Sequence, residues 1–214
     1  MAAVLLIAVP QLLSSRIVRA GILSDPQVLV DGSEALRDLQ YAPTLAEHRA
    51  ALERPFGTSW KGSAKPDVTL VEFFDYACPY CKASNPHIDR LVREDPNLRV
   101  VYRELPILGP ESVNAARLSL TASQAGRFNQ FHDALWEAGR PAPATIATAA
   151  NAAGIPVNAK VSPEVEAELR TNFSLASALG ATGTPLFIVG NRVLNSAVGY
   201  DALKQAVADA RKKS

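Results

Sequence analysis

The chain has 214 residues, of which 48% are hydrophobic and 20% charged, a composition typical of a globular protein. Its 22 Lys and Arg nearly balance 21 Asp and Glu, so the formal net charge is only +1. Proteins that bind nucleic acid carry a basic surface, and this balance therefore predicts no nucleic-acid partner.

Residues 1–20 are predicted to be a leader segment that exports the protein. Residues 2–13 are almost wholly apolar, which matches the core of a signal peptide and is too short to span a bilayer. Val18-Arg19-Ala20 offers a cleavage site with small residues. No Lys or Arg precedes the apolar run, so a buried helix, an incomplete start or a short uncleaved membrane anchor stay open as alternatives.

Residues 21–66 are predicted to form a helical arm followed by a linker. Ser24-Asp25-Pro26 predicts a helix start, because proline is favoured in the first turn. Thr44-Leu45-Ala46-Glu47 matches a capping box and predicts a second, short helix. The segment 55–66 is rich in Gly, Ser and Pro, as linkers are. The main domain is therefore expected to cover residues 67–214.

The main domain has the pattern of an α/β fold. Val68–Phe74 is a β-favouring run that predicts a central strand buried on both faces, and Leu98–Leu105 predicts a second strand. A helix expected to start at Cys78 joins these strands into a β-α-β unit. Residues 111–179 show no convincing strand and are predicted to be helical. The turn Gly190-Asn191 then predicts a hairpin before a last helix.

The only two cysteines lie three residues apart, in the motif Cys78-Pro79-Tyr80-Cys81. A disulfide between them closes almost no loop, so it cannot stabilise the fold by cross-linking it. Pro79 fits the first helical turn and places Cys78 at the N-cap, where free N–H groups and the helix dipole favour an anion. We therefore expect Cys78 to attack disulfides as a thiolate, and Cys81 to resolve the mixed disulfide.

Metal and haem sites explain the cysteine pair poorly. Zinc and iron–sulfur sites need about four Cys or His ligands, and none of the three His has a suitable spacing to the pair. A c-type haem site requires a His after the second cysteine, where this chain has Lys82. We therefore predict no metal site and no cofactor.

Glu72 is a candidate proton acceptor. It shares a strand face with Val68, Leu70 and Phe74, so its carboxyl group is expected to be buried. Burial raises the pKa of a carboxyl group and so makes it a base near neutral pH. The alternative, a Glu at the strand end that water reaches, stays open.

The segment Glu72–Cys81 resembles the active-site segment of DsbA-like proteins. In that family a buried acid precedes the nucleophilic cysteine by six residues, and a proline five residues after the second cysteine kinks the helix, as Glu72 and Pro86 would here. Thr184-Pro185 resembles the cis-proline loop that faces the disulfide, and residues 111–179 correspond to a helical insertion. The resemblance implies a thioredoxin fold: a central mixed β-sheet flanked by helices, with this insertion and an N-terminal helical arm.

The N-terminal arm is similar to that of ScsC-like members of the family, over residues 17–39 and the linker. This similarity implies a homo-oligomer held together by the arm. Gly21 and Gly32 weaken a helix here by about 1 kcal/mol each relative to Ala, so the monomer stays open as the alternative.

The resemblance implies a periplasmic thiol–disulfide oxidoreductase. Its clients would be unfolded or misoxidised exported proteins, and a DsbB- or DsbD-like membrane partner would reset it. Tyr80 offers the thiolate at most a hydrogen bond where a His would add positive charge, and Thr184 resembles the isomerase-like branch, so both favour an isomerase, a reductase or a mild oxidase. A holdase-like module with secondary thiols stays open, whereas a glutathione transferase has no need for Cys81.

Overall fold

The computed structural model of the protein describes residues 15–213. The chain divides into two compact units, Met1–Gln40 and Tyr41–Ser214. The apolar run at 2–13, which the sequence indicates as the core of a leader, lies outside the described residues. None of the helices in the described part of the chain has the length and apolarity that crossing a bilayer requires.

The described part of the first unit is helical except at Asp25 and Pro26. Residues 15–24 form α1, and α2 (Gln27–Glu53) begins directly after Pro26 and continues into the second unit. The prediction of a separate helix at Thr44 is wrong, because α2 runs through Pro43 without a break. The last turns of α2 bury Leu45 and Leu52. The free energy gained by this packing exceeds the cost of the one backbone hydrogen bond that is lost because Pro43 has no N–H.

A five-stranded mixed sheet in the order β1-β3-β2-β4-β5 forms the centre of the second unit. Its strands are β1 (Trp60–Gly62), β2 (Val68–Phe74), β3 (Leu98–Glu104), β4 (Leu186–Val189) and β5 (Arg192–Leu194). The β2–β3 pair is parallel and the other three pairs are antiparallel. Strand β1 corrects the interpretation of 55–66 as a linker: three residues are too few to show a pattern, and they become a strand only by pairing with the edge of β3.

The helices of the second unit flank this sheet. They are α3 (Pro79–Glu94), α4 (Pro110–Gln124), α5 (Phe128–Ala138), α6 (Pro143–Ala152), α7 (Pro163–Ala178) and α8 (Gly199–Lys213). Helices α4 to α7 lie between β3 and β4 in the chain, which confirms that residues 111–179 form a helical insertion. The predicted mixed sheet with flanking helices is therefore confirmed.

Successive residues of β2 point to opposite faces of the sheet, and both faces are buried, as its unbroken β-favouring run predicted. On one face, Leu70 and Phe74 pack with α3, α8 and the insertion. On the other face, Val71 and Phe73 pack with the end of α2 and with α7. Strand β2 therefore runs through the middle of the core and carries the chain directly to Cys78.

Arg103 of β3 ties the end of α2 to the sheet. Its side chain is only 3% exposed. The guanidinium donates to the carbonyl oxygens of Ala51, Leu52 and Arg54, to Glu168 Oε1 at 2.6 Å and to Asn172 Oδ1 at 2.9 Å. The last carbonyl groups of a helix lack partners within the helix, so Arg103 satisfies those of α2 and joins them to α7.

Candidate active site

Cys78 occupies the N-cap of α3, with Pro79 as the first helical residue, as the sequence predicted. Its backbone N–H donates to Asp75 O at 2.9 Å, which closes the turn between β2 and α3. Its Sγ donates to Thr184 O at 3.2 Å, and both cysteines are free thiols in this structure. The thiol therefore lies at the positive end of a helix, against the loop that precedes β4.

Cys81 lies one turn further along α3 and is completely buried. Burial raises the pKa of its thiol well above the ordinary range, and the carboxyl group of Glu72 acts in the same direction. A thiol in this environment stays protonated until a base removes its proton. Its reactivity therefore depends on a neighbouring group that can accept a proton.

Glu72 is 1% exposed, and neither of its carboxyl oxygens has a hydrogen-bond partner among the described residues. Burial raises the pKa of this carboxyl group well above its usual value, and Cys78 adds to the rise. Lys61 on β1, which forms ion pairs with Asp89 at 3.1 Å and Asp133 at 2.8 Å, acts in the opposite direction. The burial predicted for Glu72 is confirmed, and the group is suited to hold a proton at neutral pH.

The loop opposite Cys78 contains a cis peptide bond between Thr184 and Pro185. Thr184 Oγ1 is buried, faces Cys81 and lowers the pKa of that thiol, without making a hydrogen bond of normal geometry to any described residue. Tyr80 is 65% exposed and points to solvent. The structure thus brings Cys78, Cys81, Glu72 and the Thr184-Pro185 loop together, while Tyr80 lies at the rim.

Asp75 is a site residue that the sequence reasoning missed. Its carboxylate is buried and accepts three backbone N–H bonds, from Ala77 at 2.7 Å and from Ile107 and Leu108 at 2.8 Å each. The bond to Ala77 is an Asx turn, a local feature that an Asp three residues before a helix N-cap could have indicated. The bonds to Ile107 and Leu108 have no local signal. Asp75 therefore joins the turn before Cys78 to the loop after β3.

The sequence reasoning also missed a set of buried polar side chains behind the turn. They are Tyr76, Glu104, Ser119, His132 and Trp136. They come from four different elements and meet only in the folded protein, so no spacing in the sequence indicates them. Among residues 15–213, no group of three or more His, Cys, Asp or Glu side chains is arranged to hold a metal ion.

Comparison with known proteins agrees with this geometry. The family model described as the DSBA-like thioredoxin domain matches residues 69–208. The chain therefore belongs to the DsbA-like thioredoxin domain family.

Three solved structures are similar over most of the chain. A thioredoxin-like oxidoreductase from Silicibacter pomeroyi is 38% identical, with a TM-score of 0.71, and the match covers 78% of this chain and 99% of that one. A periplasmic thioredoxin-like protein from Salmonella enterica is 32% identical, with a TM-score of 0.71 and coverage of 77% and 95%. Proteus mirabilis ScsC in a transitional conformation is 26% identical, with a TM-score of 0.75 and coverage of 97% and 99%.

The curated relatives that the chain matches are much longer than the chain. The Na(+)/H(+) antiporter NhaA 1 of Salinispora arenicola is 27% identical over 157 residues, which are 70% of this chain and 24% of that protein. The Na(+)/H(+) antiporter NhaA 3 of Salinispora tropica is 34% identical over 77 residues, which are 35% of this chain and 12% of that protein. The chain thus spans about a quarter or less of either relative.

Proposed function

We propose that the Cys78–Cys81 pair catalyses thiol–disulfide exchange with exported polypeptides. The observation that carries this proposal is the placement of Cys78 at the N-cap of α3, with its Sγ 3.2 Å from Thr184 O and with Cys81 buried beside Glu72. A helix N-terminus stabilises a thiolate, and the buried second thiol is accessible only from within the protein. This is the arrangement that a two-step exchange requires.

In the proposed reaction, the Cys78 thiolate attacks a client disulfide, forms a mixed disulfide and releases one client thiolate. In molecules in which Glu72 is ionised, its carboxylate then accepts the proton of Cys81, and the Cys81 thiolate attacks Cys78 Sγ. This second step releases the other client thiolate and leaves a Cys78–Cys81 disulfide. The client disulfide is reduced and the enzyme dithiol is oxidised, and the reverse sequence oxidises a client.

We propose an isomerase, a reductase or a mild oxidase. At residue 80 the chain has an exposed Tyr, which adds no positive charge to the Cys78 thiolate. Reference potentials run from about −270 mV for thioredoxin to about −120 mV for DsbA, and the spread reflects how well the reduced form is stabilised. The redox potential of the Cys78–Cys81 pair, measured by equilibration with glutathione, tests the direction of electron flow. A potential of about −120 mV would overturn the isomerase proposal, and a potential of about −200 mV or lower would overturn the oxidase proposal.

The proposed partners follow from the same reaction. We propose unfolded or misoxidised exported proteins as clients, and a DsbB- or DsbD-like membrane protein that resets the redox state. A periplasmic location is supported by the similarity to the Salmonella protein, which is described as periplasmic. The chain would reach this compartment through its leader, cleaved or retained as an anchor.

The decisive experiment replaces the nucleophile. Cys78→Ala is expected to abolish insulin reduction and the refolding of scrambled ribonuclease, while Cys81→Ala is expected to trap the mixed disulfide with the client. A trapped adduct on Cys81→Ala, absent from the Cys78→Ala variant, would identify Cys78 as the attacking residue. Full turnover by Cys78→Ala would contradict the proposal.

The loop beside the site supports a second candidate, a holdase-like module in which the thiols are secondary. Ile107 and Leu108 are exposed, and Asp75 fixes their backbone next to the turn that leads to Cys78. Exposed apolar residues at a fixed position can contact unfolded clients. Suppression of client aggregation that survives in Cys78→Ala and is lost in Ile107→Ser/Leu108→Ser would favour this candidate.

A further inference from the structure

A chain of buried hydrogen bonds connects the helical insertion to the turn that precedes Cys78. Its links join Trp136 Nε1 to His132 Nε2 at 3.1 Å, His132 Nδ1 to Tyr76 Oη at 3.0 Å, and Tyr76 Oη to Ser119 Oγ at 2.9 Å. All four side chains are buried. A buried polar network is costly unless its members find partners, and each of these four side chains has one.

The donor and the acceptor of each hydrogen bond follow from Trp136, the first residue of the network. An indole N–H only donates, so His132 Nε2 is the acceptor. Burial lowers the pKa of His132 well below its usual value, and the neutral ring therefore has its proton on Nδ1, which donates to Tyr76. Burial raises the pKa of Tyr76, so its hydroxyl group stays protonated and donates to Ser119. The three bonds therefore point one way, from α5 through the turn to α4.

Among the side chains of this hydrogen-bond network, only Tyr76 lies in the turn between β2 and α3, two residues before Cys78. One hydroxyl group therefore connects the turn to two helices of the insertion, through Ser119 on α4 and His132 on α5. The adjacent Asp75 holds the other side of the same turn and accepts the Cys78 N–H through its backbone carbonyl. The turn is thus fixed from both sides immediately before the nucleophile.

We propose that Tyr76 is a positioning residue for Cys78: its hydroxyl group, held by Ser119 and His132, fixes the turn so that the N-terminus of α3 stays directed at the Cys78 sulfur. The insertion then contributes to the reactivity of the thiolate as well as to the core. A looser turn would weaken the favourable interaction of the α3 dipole with a thiolate on Cys78. The reduced form would lose stability relative to the disulfide, which shifts the redox equilibrium toward the oxidised protein.

The test uses the full chain with single substitutions along the hydrogen-bond chain. Tyr76→Phe removes the hydroxyl group and keeps the ring in its aromatic surroundings, and Ser119→Ala breaks the next link. We expect each variant to react with iodoacetamide at Cys78 about three- to tenfold more slowly at pH 7, in a Cys81→Ala background. We expect the equilibrium with glutathione, measured with Cys81 present, to shift toward the disulfide by a similar factor.

One further variant separates positioning from general stability. Tyr200→Phe also removes a tyrosine hydroxyl group and its hydrogen bond, to Glu94 at the far end of α3, and is expected to leave both readouts unchanged. Each variant is measured at a temperature where circular dichroism shows it to be folded.

The proposal is overturned if folded Tyr76→Phe and Ser119→Ala match the wild type in both readouts, or if Tyr200→Phe changes them as much. The inference rests on the proposed function only for its glutathione readout. Alkylation of Cys78 needs no client and no turnover. A wild-type chain that fails to exchange disulfides would therefore overturn the proposed function while the alkylation rates still decide the role of Tyr76.

Discussion

At the residue scale, Glu72 combines a function with a cost in stability. Its carboxyl group is buried without a hydrogen-bond partner in the described part of the chain, and its pKa is raised by burial. The folded protein therefore retains a proton that the unfolded chain releases above about pH 4.5. The stability that this group contributes is complete below that pH and is lost as pH rises through the folded-state pKa.

Glu72→Gln is predicted to raise stability and lower activity at the same time. At pH 7 the reduced variant should be about 1–3 kcal/mol more stable than the wild type in urea unfolding, and the difference should vanish near pH 4. Turnover in insulin reduction should fall about ten- to hundredfold, because Cys81 loses its proton acceptor. The exposed Glu137→Gln is the matched control. Equal activity of Glu72→Gln and wild type would contradict the role proposed for Glu72.

At the element scale, the short strand β1 depends on one glycine. Gly62 has a positive φ of 93°, and a Cβ there would lie 2.3 Å from Leu98 O, the acceptor of the Ser63 N–H. Any side chain must therefore push the end of β1 away from β3. The neighbouring Lys61, which acts on Glu72, would move with it.

Gly62→Ala is predicted to destabilise the protein by about 3 kcal/mol or more, because left-handed strain and a backbone collision act together. Gly126→Ala is the matched control. Gly126 has a positive φ of 74° and nothing within 4 Å of an added Cβ, so it should lose only about 1–2 kcal/mol. Urea unfolding of both variants measures the difference. A similar loss of unfolding free energy in the two variants would contradict the prediction, because it would mean that the backbone moves to remove the collision at Gly62.

Arg103 holds the last turn of α2 against the sheet of the second unit. Arg103→Lys is predicted to cost about 3 kcal/mol in unfolding free energy, because a single ammonium group cannot reach three backbone carbonyls and Glu168 together. Arg99→Lys on the same strand is the control, since its guanidinium is half-buried and water can replace its bonds to Ser63 and Ala64. Equal costs for the two changes would contradict the structural role of Arg103.

The elements that the sequence predicted correctly are those with a signal inside one segment. The buried run of β2, the Pro79 start of α3 and the Gly190-Asn191 hairpin each depend on local patterns. Strand β1 and the continuous α2 were missed because both depend on contacts with distant strands. At the site, the motif indicated Cys78 and Cys81, and the strand pattern indicated Glu72. The partners of Tyr76 are 43 and 56 residues away in the chain and had no signal.

At the scale of the whole molecule, the first unit exposes many apolar side chains. In residues 15–40 these are Ile17, Val18, Leu23, Val28, Leu29, Val30, Leu36 and Leu39, each at least 46% exposed. A monomer seldom leaves so many apolar residues in water, whereas association of several copies would bury them. We therefore propose that the arm brings copies of the chain together.

Removal of residues 1–40 is predicted to convert an oligomer into a monomer, as measured by sedimentation equilibrium. The cut is placed before Tyr41 because Leu45 and Leu52 belong to the core of the second unit. Leu29→Ser/Leu36→Ser should have the same effect without truncation. A full chain that sediments at 22.8 kDa at micromolar concentration would contradict the proposed oligomer.

The pairing of β2 with β4 has a consequence for biosynthesis. The two cysteines lie three residues apart, but the Thr184 carbonyl that meets Cys78 is 106 residues further along the chain and arrives with β4. A nascent chain therefore contains the complete motif without its opposing loop. The Cys78 thiol can therefore make its contact with the Thr184 carbonyl only after the last strands have been added, so the finished site depends on completion of the whole domain.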